Sequence, residues 1–222
     1  MIKILKYGEV KNADVFARVT PEMNVEAIVS EIIENVKSNG DKALLEYSEK
    51  FDKAKLTDLE VSKAEIDEAV SMVEPRFLDV LKTAAKNIRK FHEKQVRNGF
   101  IINDENGIVM GQKIIPVDRA GLYVPGGTAA YPSTVLMDSI PAKIAGVKEV
   151  FIVTPPNAEG KINPVILAAA SIAGVDRVFK VGGAQAVAAL AYGTETVPKV
   201  EKITGPGNIF VTLAEKAVYG HC

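Results

Sequence analysis

Four times after residue 119, a short apolar run leads through glycine or proline into a stretch of small, helix-forming residues. The runs cover 120–124, 150–154, 178–181 and, more weakly, 202–204; the helical stretches cover 132–145, 164–173, 184–191 and 209–218. A strand that leads each time into a helix has its successor strand parallel to it, with the helices packed over the sheet. Apolar runs of this length belong to strands buried on both sides. The pattern therefore predicts an α/β fold: a parallel sheet with helices on both faces. No fixed-period repeat or low-complexity segment stands out.

Composition changes at the same place. Residues 120–222 carry 15 charged side chains in 103 positions, against 40 in the first 119, and hold 12 of the 17 glycines. One region thus has many solvated faces and the other is largely buried, which predicts a division into 1–119 and 120–222. A formal net charge of −1 offers no basic excess for nucleic acid or an anionic membrane. No run reaches the ~18 to 20 apolar residues of a membrane span. The opening MIKILKYGEV has no sustained apolar core and no small-residue cleavage site, so no secretory signal is expected. Cys222, the single cysteine, cannot form an internal disulfide, which fits a reducing cytosol.

The same counts bear on chemistry. Two histidines, His92 and His221, join that cysteine, whereas zinc sites take three or four His, Cys or carboxylate ligands. His221 and Cys222 are adjacent at the chain end, where backbone frays. No metal centre is expected wholly within this chain. A general base other than His92 would have to be a carboxylate, a lysine or a tyrosine.

The region before residue 119 reads as helical. Asn24 caps a segment with Val25, Ile28, Val29, Ile32, Ile33 and Val36 on one side, ended by Gly40. Asp41 then starts a second short helix through Leu44, Leu45 and Tyr47. Ser62-Lys63-Ala64-Glu65 has capping-box spacing. From Ile66 to Phe91 an apolar stripe follows steps of three and four, and Pro75 within it opens a new helix at its first turn. Two extended pieces, 100–102 and 107–115, are joined by a turn at Asn103-Asp104-Glu105-Asn106-Gly107.

In an open parallel sheet, ligands bind beyond the carboxyl ends of the strands. Three glycine-bearing turns fall there: Tyr123-Val124-Pro125-Gly126-Gly127-Thr128, Val181-Gly182-Gly183-Ala184-Gln185 and Thr204-Gly205-Pro206-Gly207-Asn208. Glycine admits close approach of a ligand, and the helix behind each turn offers free N–H groups to an anion such as pyrophosphate. None is a G-x-G-x-x-G fingerprint or a G-x-x-x-x-G-K-[ST] loop, and tight βα turns use glycine anyway. Together they favour a nucleotide crevice. Tyr123 reads equally as a group that stacks on or bonds a ligand and as an anchor for its strand end. Gln185 reads equally as a ligand contact and as a turn cap. Asn208 on spacing alone reads better as the N-cap of the last helix. Thr128, Ser133 and Thr134 suit either a cap or a phosphate contact. His92, among Arg89, Lys90, Glu93 and Lys94, reads as a solvated or packed side chain.

The stretches AGLYVPGGTAAYPSTVLMDSIPAKIAGV and KVGGAQAVAALAYGTETVPKVEKITGPGNIFV, with LLEYSEKFD and NIRKFHEKQ upstream, resemble histidinol dehydrogenase across nearly the whole chain. The resemblance implies a zinc-dependent, NAD-linked enzyme that oxidises L-histidinol through the aldehyde to L-histidine, with the dinucleotide in an incomplete Rossmann-like domain. By motif position it makes Tyr123, Gln185 and Asn208 the NAD contacts, which revises the capping preference for Asn208. The sequence stops at VYGHC, before the I-D-x-x-A-G-P-S-E signature of that family. The zinc ligands and the Glu-His acid/base pair are expected beyond Cys222, with no catalytic or metal-binding residue within this chain. The expectation is an N-terminal portion, inactive alone, cytoplasmic and homodimeric. With the 66–91 stripe incompletely covered, it is expected either to self-associate or to leave its N-terminal region loosely ordered while 120–220 stays folded. Two other readings remain: a non-catalytic nucleotide- or anion-binding module, and a dimerisation half.

Overall fold

The computed structural model describes residues 4–6, 8–16, 25–126 and 130–222, without the side chains of Asp14 and Phe16. The expected cap Asn24 and the turn residues Gly127 and Thr128 lie outside these. Before the sheet come helices α1 (Asn12–Phe16), α2 (Val25–Tyr47), α3 (Lys63–Met72) and α4 (Pro75–His92), then a pair of short strands, β1 (Phe100–Asn103) and β2 (Val109–Gln112). Strand and helix then alternate: β3 (Arg119–Tyr123), α5 (Pro132–Ile144), β4 (Glu149–Thr154), α6 (Pro164–Ala173), β5 (Arg177–Lys180), α7 (Gly183–Tyr192), β6 (Lys202–Thr204) and α8 (Ile209–Val218).

Strands β3 to β6 form one parallel sheet in the order β5-β4-β3-β6, with Leu122 opposite Ile152 on one side and Thr204 on the other. The chain builds outward from β3 through β4 to β5, then crosses back to set β6 on the far side of β3. That reversal creates a switch point between β3 and β6, where adjoining loops run to opposite sides and leave a crevice. Alternate residues of β4 serve the two cores. Phe151 and Val153 pack with α2, α7 and α8; Val150 and Ile152 pack with α3, α4, α5 and α6. The α/β expectation, with both faces covered, is the architecture found. Each core draws residues from before and after the composition break at residue 119.

Local rules account for the helix ends. The helix from Val25 runs on to Tyr47, but Gly40 within it has φ 52° and ψ −133°, the break expected there. A Cβ at Gly40 would stand 2.2 Å from the Glu195 carboxylate, which accepts the Asp41 N–H at 2.8 Å. The bend thus lets Asp41 accept the Thr194 hydroxyl at 2.5 Å and bond Thr196 as well, tying α2 to the loop before β6. At α3, Ser62 and Glu65 form the expected capping box, and Pro75 occupies the first turn of α4.

Beyond α2 the chain makes a π-helical turn, Ser48–Asp52, closed by Lys53 in the left-handed region (φ 60°). Residues 59–61 then run antiparallel along β5, with Val61 N–H donating to the Val178 carbonyl and Lys180 N–H to that of Leu59. This segment occupies the outer edge of β5. The antiparallel pair β1–β2 stands apart, with every residue of both strands exposed.

Candidate functional site

At the carboxyl edge of the sheet, the loops after β3, β4 and β5 meet around Pro155. A Cβ on Gly126 would come within 2.4 Å of the Pro155 ring, and one on Gly182 within 2.6 Å. After β6, a Cβ on Gly205 (φ 140°) would fall 2.2 Å from the Tyr123 carbonyl oxygen. Gly126, Gly182 and Gly205 are therefore demanded by the packing of one loop on the next. Their turns also close one wall of a cavity.

That cavity, about 510 Å³, lies over the switch point on the α2/α7/α8 side, within the range of small-molecule sites. It is lined by Tyr123 from the end of β3, Gln185 from the first turn of α7 and Asn208 at the head of α8. Three loops distant in sequence thus bring all three expected cofactor contacts to one cleft. The far wall is Ile28 and Ile32 of α2 and Phe51 and Asp52 of the π turn. Ile28, in the apolar stripe of α2, is 42% exposed because it faces this cleft and not a helix.

Tyr123 is buried, and its hydroxyl oxygen accepts the Gly183 N–H at 3.0 Å. The residue anchors the strand end, and its own O–H is still free to donate. Burial raises the phenol above its ordinary value; the nearby Asp52 and Glu215 charges act the same way, and the Gly183 N–H opposes them. Gln185 does not cap α7, whose N-cap is Gly182 with no side-chain bond. It is 2% exposed, and no hydrogen bond to its amide occurs among the described residues. Asn208 is the N-cap of α8, as spacing predicts: its Oδ1 accepts from Phe210 N–H at 3.0 Å and Val211 N–H at 3.2 Å. Capping uses the carbonyl oxygen and leaves the NH2 group free to donate.

Asp52 is the cleft residue that sequence reasoning missed. Its Oδ2 is out of solvent with no hydrogen-bond partner among the described residues, and burial pushes the carboxyl up to about 6. Position 52 ends the LLEYSEKFD stretch, where nothing in the spacing signals a π turn. No lysine or arginine is among the residues lining the cleft. The donors it offers an anion come from backbone: the Ala184 and Gln185 N–H groups in the first turn of α7 have no partner among the described residues, and such a helix end attracts anions.

The other candidates lie elsewhere. Ser133 and Thr134 do not cap α5, whose N-cap is Tyr131 without a side-chain bond. At the end of α4, His92 Nδ1 is 2.6 Å from Gln95 Oε1 in the following turn, and the His221 ring tilts against Tyr192 at 5.2 Å. Neither histidine lines the cleft. Among the described residues, no three His, Cys, Asp or Glu side chains gather as a metal site.

Comparison with known proteins agrees with this architecture. A family model described as histidinol dehydrogenase matches residues 17–222. The histidinol dehydrogenase of Clostridium acetobutylicum is 54% identical over 99% of this chain and 52% of its own length. That of Lactiplantibacillus plantarum is 57% identical over 90% of this chain and 46% of its own. The crystal structure of histidinol dehydrogenase from Elizabethkingia anophelis superposes with a TM-score of 0.88 at 42% identity, covering 92% of this chain and 47% of that one. The chain spans about half the length of these relatives.

Proposed function

Because the chain belongs to the histidinol dehydrogenase family, we propose that it holds the NAD cofactor of an L-histidinol-oxidising enzyme of histidine biosynthesis. The observation that carries this reading is the single cleft at the switch point into which Tyr123, Gln185 and Asn208 all open. A cofactor pyrophosphate suits the free N–H groups at the head of α7. The Tyr123 O–H, the Gln185 amide and the Asn208 NH2 group supply directional bonds that the chain itself leaves unused. When bound, the nicotinamide ring accepts the hydride leaving the alcohol carbon.

Zinc belongs to the same reading through the family, but the described residues do not fit a resident zinc ion. The two histidines have other neighbours, and among the described residues lining the cleft the titratable ones are Asp52 and Tyr123. In this reading the 222 residues bind dinucleotide and do not by themselves turn over histidinol. A cytoplasmic location and a homodimeric assembly complete it, with light scattering as the check on assembly.

Calorimetric titration with NAD⁺, alongside a turnover assay with histidinol and added zinc, tests the proposal. Saturable NAD⁺ binding without histidine formation is the expected result. Histidine formation by this chain alone would overturn the inactivity. No NAD⁺ heat would overturn the cofactor assignment; an anion such as pyrophosphate binding in its place would favour the simpler anion-binding module.

A further inference from the structure

We propose that the outer edge of β1 pairs antiparallel with the same edge of a second copy of this chain, joining two hairpins into a four-stranded sheet about a two-fold axis at Ile101. The inference gives the homodimeric part of the reading above a surface. It needs nothing from the cofactor cleft, to which the hairpin contributes no lining residue.

The hairpin carries apolar side chains on both faces with nothing over either. Ile101 is 76% exposed, and Phe100, Ile102, Val109 and Met110 are all more than half exposed. Its backbone is just as open. Phe100 lies opposite Gln112 and Ile102 opposite Met110, and Asp104 N–H donates to the Ile108 carbonyl at 3.0 Å. Bonded and non-bonded pairs alternate along an antiparallel ladder. Residues 100, 102 and 104 therefore bond towards β2, while Gly99, Ile101 and Asn103 turn their N–H and C=O groups outward. No third strand lies beyond them, and such an edge is a template for another strand.

Symmetry and charge select a second copy as that strand. Pairing centred on Ile101 sets outward residue against outward residue: Ile101 on its own mate, Gly99 on Asn103. Every ladder bond is then made. Phe100 of each copy falls beside Ile102 of the other, an aromatic against a β-branched side chain. The chain before β1 is basic, with Lys94 and Arg97, and the turn after it is acidic, with Asp104 and Glu105. Neither Arg97 nor Glu105 is ion-paired among the described residues. The antiparallel arrangement lays Arg97 of each copy beside the acidic turn of the other, and a parallel one would set like against like.

The β2 edge lacks these properties. A two-fold pair there would centre on Gly111, a poor strand former, and put Lys113 opposite Val109 with no acid to meet it. An edge-to-edge contact of two strands is smaller than the ~1,600 Å² of a standard interface. The dimer is therefore expected to be weak, with a micromolar dissociation constant, and the hairpin to stand open in dilute solution.

Sedimentation equilibrium, from low micromolar to submillimolar protein, tests this on the wild type, Arg97→Glu, Glu105→Arg and the double variant. The wild type is expected to show a reversible monomer–dimer equilibrium. Each single change is expected to weaken it by about tenfold, since repulsion replaces attraction at two symmetric places. The double variant is expected to recover wild-type affinity. Within one copy the two positions are about 25 Å of extended chain apart, so recovery can come only from contact between copies. NAD⁺ titration is expected to be the same in all four proteins. A dimer indifferent to the single changes, or a double variant that does not recover, overturns the β1 pairing and leaves the homodimer to another surface. A wild type that stays monomeric throughout overturns both and leaves the edge to a strand of a different protein.

Discussion

Asn208 lines the cleft and caps α8 with its Oδ1. In the proposed function its NH2 group is the atom that would bond the cofactor. Asn208→Asp keeps the capping oxygen and removes the donor; Asn208→Ala removes both. Denaturant melts are expected to show Asn208→Ala destabilised by about 1 kcal/mol, the usual worth of an N-cap, and Asn208→Asp nearly unchanged. NAD⁺ titration is expected to find both weakened, and an Asn208→Asp protein with native affinity would limit the residue to capping. Asp138 on α5 makes a second residue-scale test. Like Asp52, it has a buried Oδ2 without a partner among the described residues, and burial lifts its carboxyl to about 6. A carboxyl with a higher pKa folded than unfolded binds more protons in the folded state between the two values. Stability therefore falls as pH rises from about 4 to about 6 and levels off above. Asp138→Asn is expected to gain on the order of 1 kcal/mol at pH 7.5 and nothing at pH 4, after allowing for partial solvent access. Urea melts at the two pH values check this, and an equal gain at both would remove the titration as its cause.

Among the elements, the start of α3 joins helix capping to tertiary structure. Glu65 Oε2 accepts the Ser62 N–H at 2.9 Å, while its Oε1 is 2.6 Å from the ammonium of Lys180 at the end of β5. Burial works to raise the Glu65 carboxyl, but the bonds from Lys180 and Ser62 outweigh it and hold the group below its ordinary value. Lys180 is only 7% exposed, so this contact neutralises a charge largely cut off from water. Ser62→Ala is expected to cost about 1 kcal/mol through the lost cap. Glu65→Gln is expected to cost more, about 2 kcal/mol, because it leaves the ammonium without its counter-charge. Equal losses in urea melts would mean that the ion pair adds nothing to the box. The capping box could be read from four consecutive residues. Lys180 could not, since no local rule brings β5 to the head of α3.

Across the whole molecule, burial is uneven. Strands β3 and β4 lie between two helical layers, whereas β1 and β2 expose apolar side chains such as Ile101 and Val109 on an isolated pair. Two strands alone are marginally stable in water. Hydrogen exchange followed by mass spectrometry is therefore expected to protect 119–123 and 149–154 strongly and 100–112 weakly. Equal protection would mean that the pair is covered in solution. The α/β alternation, the Gly40 break, the Pro75 start and the Asn208 cap were all legible in sequence, because each depends on residues within one or two turns of chain. Periodicity and capping are short-range constraints, and the small side chains after each strand leave them little competition. The sheet order, the exposure of Ile28 and the entry of Asp52 into the cleft were decided only by tertiary structure. They depend on which helix covers which face and on where α2 and its π turn come to rest against β3 and α7, a choice made by packing between segments far apart along the chain.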